Sequence, residues 1–388
     1  MADPAPGPVV GRRLALVLAT STGGVGQHVR SVSAALVQAG AQVLVCGPAA
    51  TDELFDFSAG GAAFAPVEIA PGLRPLADLR AARRLRRLTA HCEVVHAHGL
   101  RAGLVALVAG TGRSGPLVVT WHNRVLATGL RARALTPLER RVARGADVGL
   151  GASEDLVARI RRFGGRDVRL GEVAAPLLPP PTRSAGVVRA ELGAADRPLV
   201  LAIGRLHSQK GFDVLIRAAA RWRDRTPMPY VAIAGDGPLQ ARLAHEIAAT
   251  GAPVDLLGRR DDVADLLAAA DVVVLPSRWE ARSLVAQETL RAGRPLVATS
   301  VGGVPGLVAD GAVLISPDDP VALDRAVRRL LDHPDRAAAL AERGAARART
   351  WPGEADTATQ LARLYAELLG RRRVDPATRR SHFARVLP

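Results

Sequence analysis

Leu199-Val200-Leu201-Ala202-Ile203-Gly204-Arg205-Leu206-His207-Ser208-Gln209-Lys210-Gly211, with Val214, Leu215, Ala218 and Ala219 following at helical spacing, spells a buried strand, a glycine-bounded loop and a helix. The apolar run is short and continuous, so both faces of the strand are expected to be covered. Lys210 is the only lysine: of 52 basic residues the other 51 are Arg. A loop between a strand and a helix N-terminus presents outward-facing backbone N–H groups. With Arg205 and Lys210 on it, the loop is a candidate anion site. The compact ammonium meets a phosphate oxygen as a point charge, which a planar guanidinium does not.

The same pattern extends in both directions. Short, continuous, β-branched runs lie at 14–19, 41–46, 93–97, 117–121 and 147–151, then at 198–203, 230–234, 271–275, 295–298 and 312–315. Helical patterns separate them, which is the signature of parallel strands covered on both faces by helices. Ala174-Ala175-Pro176-Leu177-Leu178-Pro179-Pro180-Pro181-Thr182 suits neither element and reads as a semi-rigid linker. The expected fold is therefore α/β, with two Rossmann-like domains facing a central cleft and ligands at the carboxyl ends of the strands. The expected boundaries are 1–180, 181–370 and a basic tail, 371–388. The terminal helix 354–370 carries Leu361, Leu364, Tyr365, Leu368 and Leu369 on one face, which can pack back on the first domain.

Bulk composition narrows the function. A chain of 388 residues with 48% hydrophobic content supports two cores. Cys46 and Cys92 have no metal-ligand spacing and suit a reducing compartment. The apolar run after Arg12-Arg13 ends at Thr20-Ser21-Thr22-Gly23-Gly24 without a small-residue cleavage site, so it is a strand rather than a leader. No run reaches the roughly 18 apolar residues of a membrane span. A cytoplasmic protein is expected, with peripheral contact at the inner membrane face as an option.

The net charge is +15, and residues 1–185 hold 23 Arg against 13 acids, so the first half is the basic one. That favours an anionic surface or acceptor. Aromatics make up 3% of the chain and do not interleave with the basic residues, which argues against nucleic acid. Leu73 to Leu88 sets Leu76, Leu79, Leu85 and Leu88 among Arg80, Arg83, Arg84, Arg86 and Arg87. Such a stretch suits a domain helix with a solvated face, or one lying on an anionic membrane.

Four further segments carry chemistry. Thr22-Gly23-Gly24-Val25-Gly26 follows the first strand and opens a helix, where glycines admit close ligand approach. It lacks the dinucleotide spacing and its closing acid, which disfavours NAD. His96 and His98 end one strand and His122 another, with His122 expected to face a ligand and the other two to be structural. Asp236 in Ala234-Gly235-Asp236-Gly237-Pro238 is expected to cap a helix.

The fourth segment runs from Asp271 to Pro305. A buried strand ends at Pro276, Glu280 lies in the loop beyond, and Glu288 lies in the next helix, buried through Leu284, Val285 and Leu290. Backbone N–H groups around 281–284 can meet a sugar or pyrophosphate. Two carboxylates and a basic pair suit a nucleotide sugar, with hydroxyls to the carboxylates and phosphates to the cations.

These segments, in this order and spacing, make the chain resemble the retaining, GT-B-fold glycosyltransferases of family 4. The resemblance runs from about Leu14 to Gly370. It rests on Gly23-Gly24-Val25-Gly26, Val95-His96-Ala97-His98, Gly204-Arg205-Leu206 with Lys210-Gly211, Ala234-Gly235-Asp236-Gly237-Pro238, the Glu280/Glu288 pair, Ala292-Gly293-Arg294-Pro295 and Gly302-Gly303-Val304-Pro305. Ala281-Arg282-Ser283 departs from the family's usual Gly or Ser, aromatic, Gly after the first glutamate.

What the resemblance implies is a retaining transferase moving a hexose or N-acetylhexosamine from a nucleoside-diphosphate sugar, with UDP expected, to a hydroxyl on a lipid carrier, glycan or small molecule. Arg205 and Lys210 would hold the diphosphate, Glu288 the ribose, Glu280 the sugar hydroxyls, and His122 would lie near the sugar. Gly23 and Gly24 would border the diphosphate. Gly204, Arg260, Ser283, Leu284 and Val285 complete the expected donor site. No cofactor and no metal are expected, in keeping with the absence of Asp-x-Asp. The alternatives are a GT-B subunit that binds nucleotide sugar without catalysis, and a GT-B epimerase.

Overall fold

The computed structural model describes residues 7–111, 115–124, 129–171 and 173–374. The chain forms two compact units. One comprises the chain up to Pro176 together with the segment from Pro352 onward, and the other is Leu177–Trp351.

The first unit holds β1 (Arg13–Leu18), β2 (Gln42–Gly47), β3 (Ala63–Pro66), β4 (Val94–His98), β5 (Leu117–Trp121), β6 (Val148–Gly151) and β7 (Val168–Leu170). They form one sheet in the order β3-β2-β1-β4-β5-β6-β7, parallel at every pairing. The second holds β8 (Leu199–Ile203), β9 (Tyr230–Ala234), β10 (Val254–Gly258), β11 (Val272–Leu275), β12 (Leu296–Thr299) and β13 (Val313–Ile315), ordered β10-β9-β8-β11-β12-β13 and again all parallel. The central strands are buried along their whole length, as their unbroken apolar sequence requires.

The strand order reverses between β1 and β4, and again between β8 and β11. At such a switch point the loops after neighbouring strands splay apart and leave room for a ligand. The Gly23 loop and the His98 end lie at the first switch point; the Lys210 and Glu280 loops lie at the second.

The last helix packs back on the first unit, the option that its apolar face left open. It spans Glu354–Val374 and belongs to the first unit, where Leu361, Leu364, Tyr365 and Leu368 join the core that contains Leu14, Leu16 and Val29. The division between the units falls at Pro176/Leu177 rather than 180/181. Of the basic tail, 375–388 lie outside the described residues. Among the described residues no helix is long and apolar enough to cross a membrane.

Candidate functional site

In the second unit the loops after β8 and β11 are laced together. Arg278 donates its backbone N–H to the Gln209 carbonyl at 2.7 Å, and Gln209 Nε2 donates to the Trp279 carbonyl at 2.8 Å. The Arg278 guanidinium donates to the Ser208 carbonyl and is held by Asp213 and Asp318. Trp279 is fully buried beneath the loop.

Two glycines are required by this closeness. Gly211 has φ +66°, and a Cβ there would lie 2.1 Å from the Pro276 carbonyl oxygen. Gly302 has φ +51°, and its Cβ would lie 1.9 Å from the Glu280 carbonyl oxygen. Any larger residue would push one of the two loops away.

The laced loops bring two expected residues together. Lys210 Nζ donates to Glu280 Oε1 at 2.6 Å, and the buried Ser277 hydroxyl donates to the same oxygen at 2.7 Å. Glu280 is 7% exposed, so a buried carboxylate is matched by one ammonium and one hydroxyl. Gly303 adds a backbone N–H to the Glu280 carbonyl.

Ser283 caps the helix Leu284–Arg291 by accepting from the Ala286 N–H. That helix buries Ala286, Gln287, Thr289 and Leu290, while Leu284 and Val285 are half-buried, which corrects the expected face. Glu288 stands one turn in. Burial pushes its carboxyl up to about 7 against the opposing charges of Arg291 and Lys210. A carboxylic group poised near neutrality, with a buried carboxylate–ammonium couple on the neighbouring loops, is an unusual concentration of chemistry for the carboxyl end of one sheet.

The remaining expected donor residues separate. Gly204 directly follows β8, with φ +151°. Arg205 is exposed on the loop and, among the described residues, has no ion-pair partner. Arg260 is not free: it is paired with Asp262 and Glu191, in a cluster that Arg183 and Asp265 extend. Its guanidinium ties the end of β10 to the start of the unit. Asp236 caps no helix: Gln240–Thr250 is preceded by Leu239, and the Asp236 carbonyl instead accepts from the Leu206 N–H at 2.7 Å. Ser277, Gln209, Arg278 and Asp213 were not singled out in the sequence, because nothing in a serine, glutamine or surface arginine marks it before its loop is folded.

In the first unit Gly23 precedes the helix Gly24–Gln38, and both Gly23 and Gly24 are exposed. Gly26 is the sterically demanded one, since a Cβ there would meet the Phe55 ring at 2.1 Å. His96 is fully committed: its Nδ1 meets the Tyr365 hydroxyl and its Nε2 the Thr120 hydroxyl, each at 2.6 Å. His122 is buried at 7% exposure, with its Nε2 3.1 Å from His98 Nδ1. His28, unremarked in the sequence reading, joins His98 and His122.

Two all-parallel sheets, each with a switch point, and the laced, charged loops of the second are the parts of a GT-B fold. The solved structure of Anabaena HepE in complex with UDP and glucose has this fold at TM-score 0.79, 21% identity, 92% of this chain and 100% of its own. Residues 23–176 match the glycosyl transferase 4-like domain, and residues 197–333 match the glycosyl transferases group 1 domain. The alpha-D-kanosaminyltransferase of Streptomyces kanamyceticus is 31% identical over 75% of this chain and 81% of its own length. A D-inositol 3-phosphate glycosyltransferase of Xylanimonas cellulosilytica is 29% identical over 90% and 93%. The chain belongs to the group 1, family 4 glycosyltransferases and is a glycosyltransferase enzyme.

Proposed function

We propose that the enzyme transfers a hexose or N-acetylhexosamine from a UDP-sugar to a hydroxyl acceptor, with retention and without an essential metal. The observation that carries this reading is the Lys210–Glu280 couple beside Glu288. Lys210, with the exposed Arg205, opposes the negative charge that grows on the leaving diphosphate, where stabilisation accelerates the reaction most. Glu280 and Glu288 accept from sugar and ribose hydroxyls, Ser283, Leu284 and Val285 offer backbone N–H groups at their helix start, and Gly23 and Gly24 border the diphosphate. His122 contacts the sugar.

The acceptor oxygen bonds to the anomeric carbon on the face the diphosphate leaves. The carbon–oxygen bond to phosphate breaks, and a phosphate oxygen takes the acceptor proton. The HepE complex with UDP and glucose supports the choice of base. The relative named for D-inositol 3-phosphate makes polyhydroxylated small molecules the first acceptors to try.

Calorimetry with UDP, GDP, ADP and their sugar conjugates, on wild type and Lys210→Ala, tests the donor. Preference for UDP that the variant loses supports the reading, and preference for another base overturns the UDP assignment. Chromatography of products after adding acceptors separates transfer from epimerisation and from binding alone.

Peripheral membrane contact is also proposed. On the helix Pro75–Leu88, Leu76 and Leu79 are 76% and 39% exposed among five arginines, and Ala81, Ala82 and Leu85 face the core. Flotation on liposomes that does not depend on anionic lipid removes this contact.

A further inference from the structure

His28 on the helix Gly24–Gln38, His98 at the end of β4 and His122 just beyond β5 come together inside the first unit. Their ring centroids are 5.5, 5.3 and 5.4 Å apart, a nearly equilateral triangle. One nitrogen from each lies within 4.8 Å of the others, and the three residues are 5%, 2% and 7% exposed.

Two details set this cluster apart from a satisfied core network. Among the described residues His98 Nε2 is buried without a hydrogen-bond partner, whereas both nitrogens of neighbouring His96 are used. Moreover, the 3.1 Å contact between His98 Nδ1 and His122 Nε2 needs one ring as donor and the other as acceptor. Each neutral imidazole offers one lone pair, and His98 keeps a ring nitrogen that no described group engages.

The geometry points to a binding site for a borderline divalent cation of the zinc class, held by His28, His98 and His122 with a fourth position open. Three imidazoles without a carboxylate suit zinc, nickel or copper, and do not suit magnesium or calcium. A zinc–nitrogen length of about 2.0–2.1 Å places tetrahedral donors about 3.4 Å apart. A cation would draw one nitrogen of each ring, now within 4.8 Å of one another, in to that spacing. Ligation needs neutral imidazole, so binding should weaken as pH falls. His96, stacked on His98 at 4.2 Å and fixed by Tyr365 and Thr120, backs the site with a rigid wall. A cation here would hold His122, so it would inhibit transfer. Binding itself does not depend on the proposed function; the inhibition does.

The test uses the full chain without a polyhistidine tag, stripped with EDTA and dialysed. Co²⁺ is titrated while visible absorption is followed, Zn²⁺ is added in competition, and the thermal midpoint is read with Zn²⁺ and with EDTA. The expected result is one equivalent bound with the intense visible band of tetrahedral cobalt, displaced by Zn²⁺, and a raised midpoint. His28→Gln and His98→Gln should each weaken binding by about 100-fold, while exposed His91→Gln leaves it unchanged; circular dichroism establishes that each variant is folded. Equal binding by all four proteins overturns the site, as does a thiolate charge-transfer band, which would assign the metal to Cys46 or Cys92. No saturable binding overturns it too. One-equivalent binding without inhibition upholds the site and counts against the role of His122 in transfer.

Discussion

Lys210 Nζ sits 2.6 Å from Glu280 Oε1, joining the loop after β8 to the loop after β11. One charge at about 4 Å, with an effective dielectric of about 20, interacts by up to roughly 4 kcal/mol. Discounted for solvent, Lys210→Ala is expected to slow turnover by about 10²–10³-fold. Steady-state rates with saturating donor check this, and more than about a third of wild-type activity would contradict it.

The second prediction concerns pH. Glu288 titrates at about 7 in the folded protein, raised from an ordinary glutamate by burial. The folded state therefore binds its proton more tightly than the unfolded chain does, and the group favours folding at low pH. That stability is full below the unfolded value near 4.5, falls as pH rises, and is gone above about 7. Glu288 is only half-buried by surface, so the effect is on the order of 1–2 kcal/mol rather than the full shift. Urea unfolding of wild type and Glu288→Gln at pH 5 and pH 8 reads it: wild type should lose ground at pH 8 relative to the variant. Parallel behaviour of the two proteins refutes the shift.

Gly211 and Gly23 should respond in opposite ways to alanine. At Gly211 the methyl meets the Pro276 carbonyl in a left-handed backbone, so Gly211→Ala should cost roughly 2 kcal/mol or more and most of the activity. At Gly23 φ is −157° and no heavy atom lies within 4 Å of the added Cβ. Gly23→Ala should fold as wild type. Equal unfolding midpoints for the two variants would refute the loop packing.

Tyr365→Phe removes the hydroxyl that meets His96 Nδ1 and leaves a buried ring nitrogen unpaired. A loss of about 1–3 kcal/mol is expected, read by chemical unfolding. An unchanged midpoint would argue against this bond and its share in anchoring the last helix to the first unit.

The runs that mark the central strands were legible because a strand buried on both faces must be apolar at every position. Three strands left no such mark: β3 reads Ala63-Phe64-Ala65-Pro66, β7 Val168-Arg169-Leu170 and β10 Val254-Asp255-Leu256-Leu257-Gly258. All three are sheet edges, where a strand can be short, as β3 is, or interrupted by a charge, as β7 and β10 are.

Within the site, Lys210, Glu280 and Glu288 could be read from motif spacing, since each lies at a fixed offset from a strand end. The ion pairs of Arg260 could not be read: nothing in a lone arginine after a strand says that the fold brings Glu191 to it from an earlier helix.

By itself, the sequence determined the two sets of parallel strands and the loops that carry the charged residues, because these follow from local periodicity and short-range spacing; the reaction class came from the resemblance of its motifs to a known family. Only tertiary structure decided which unit owns the last helix, that Ser277 shares Glu280 with Lys210, and that His28, His98 and His122 form one cluster. Those outcomes depend on contacts between segments far apart in the chain, and side-chain identity at one position carries no information about what packs against it.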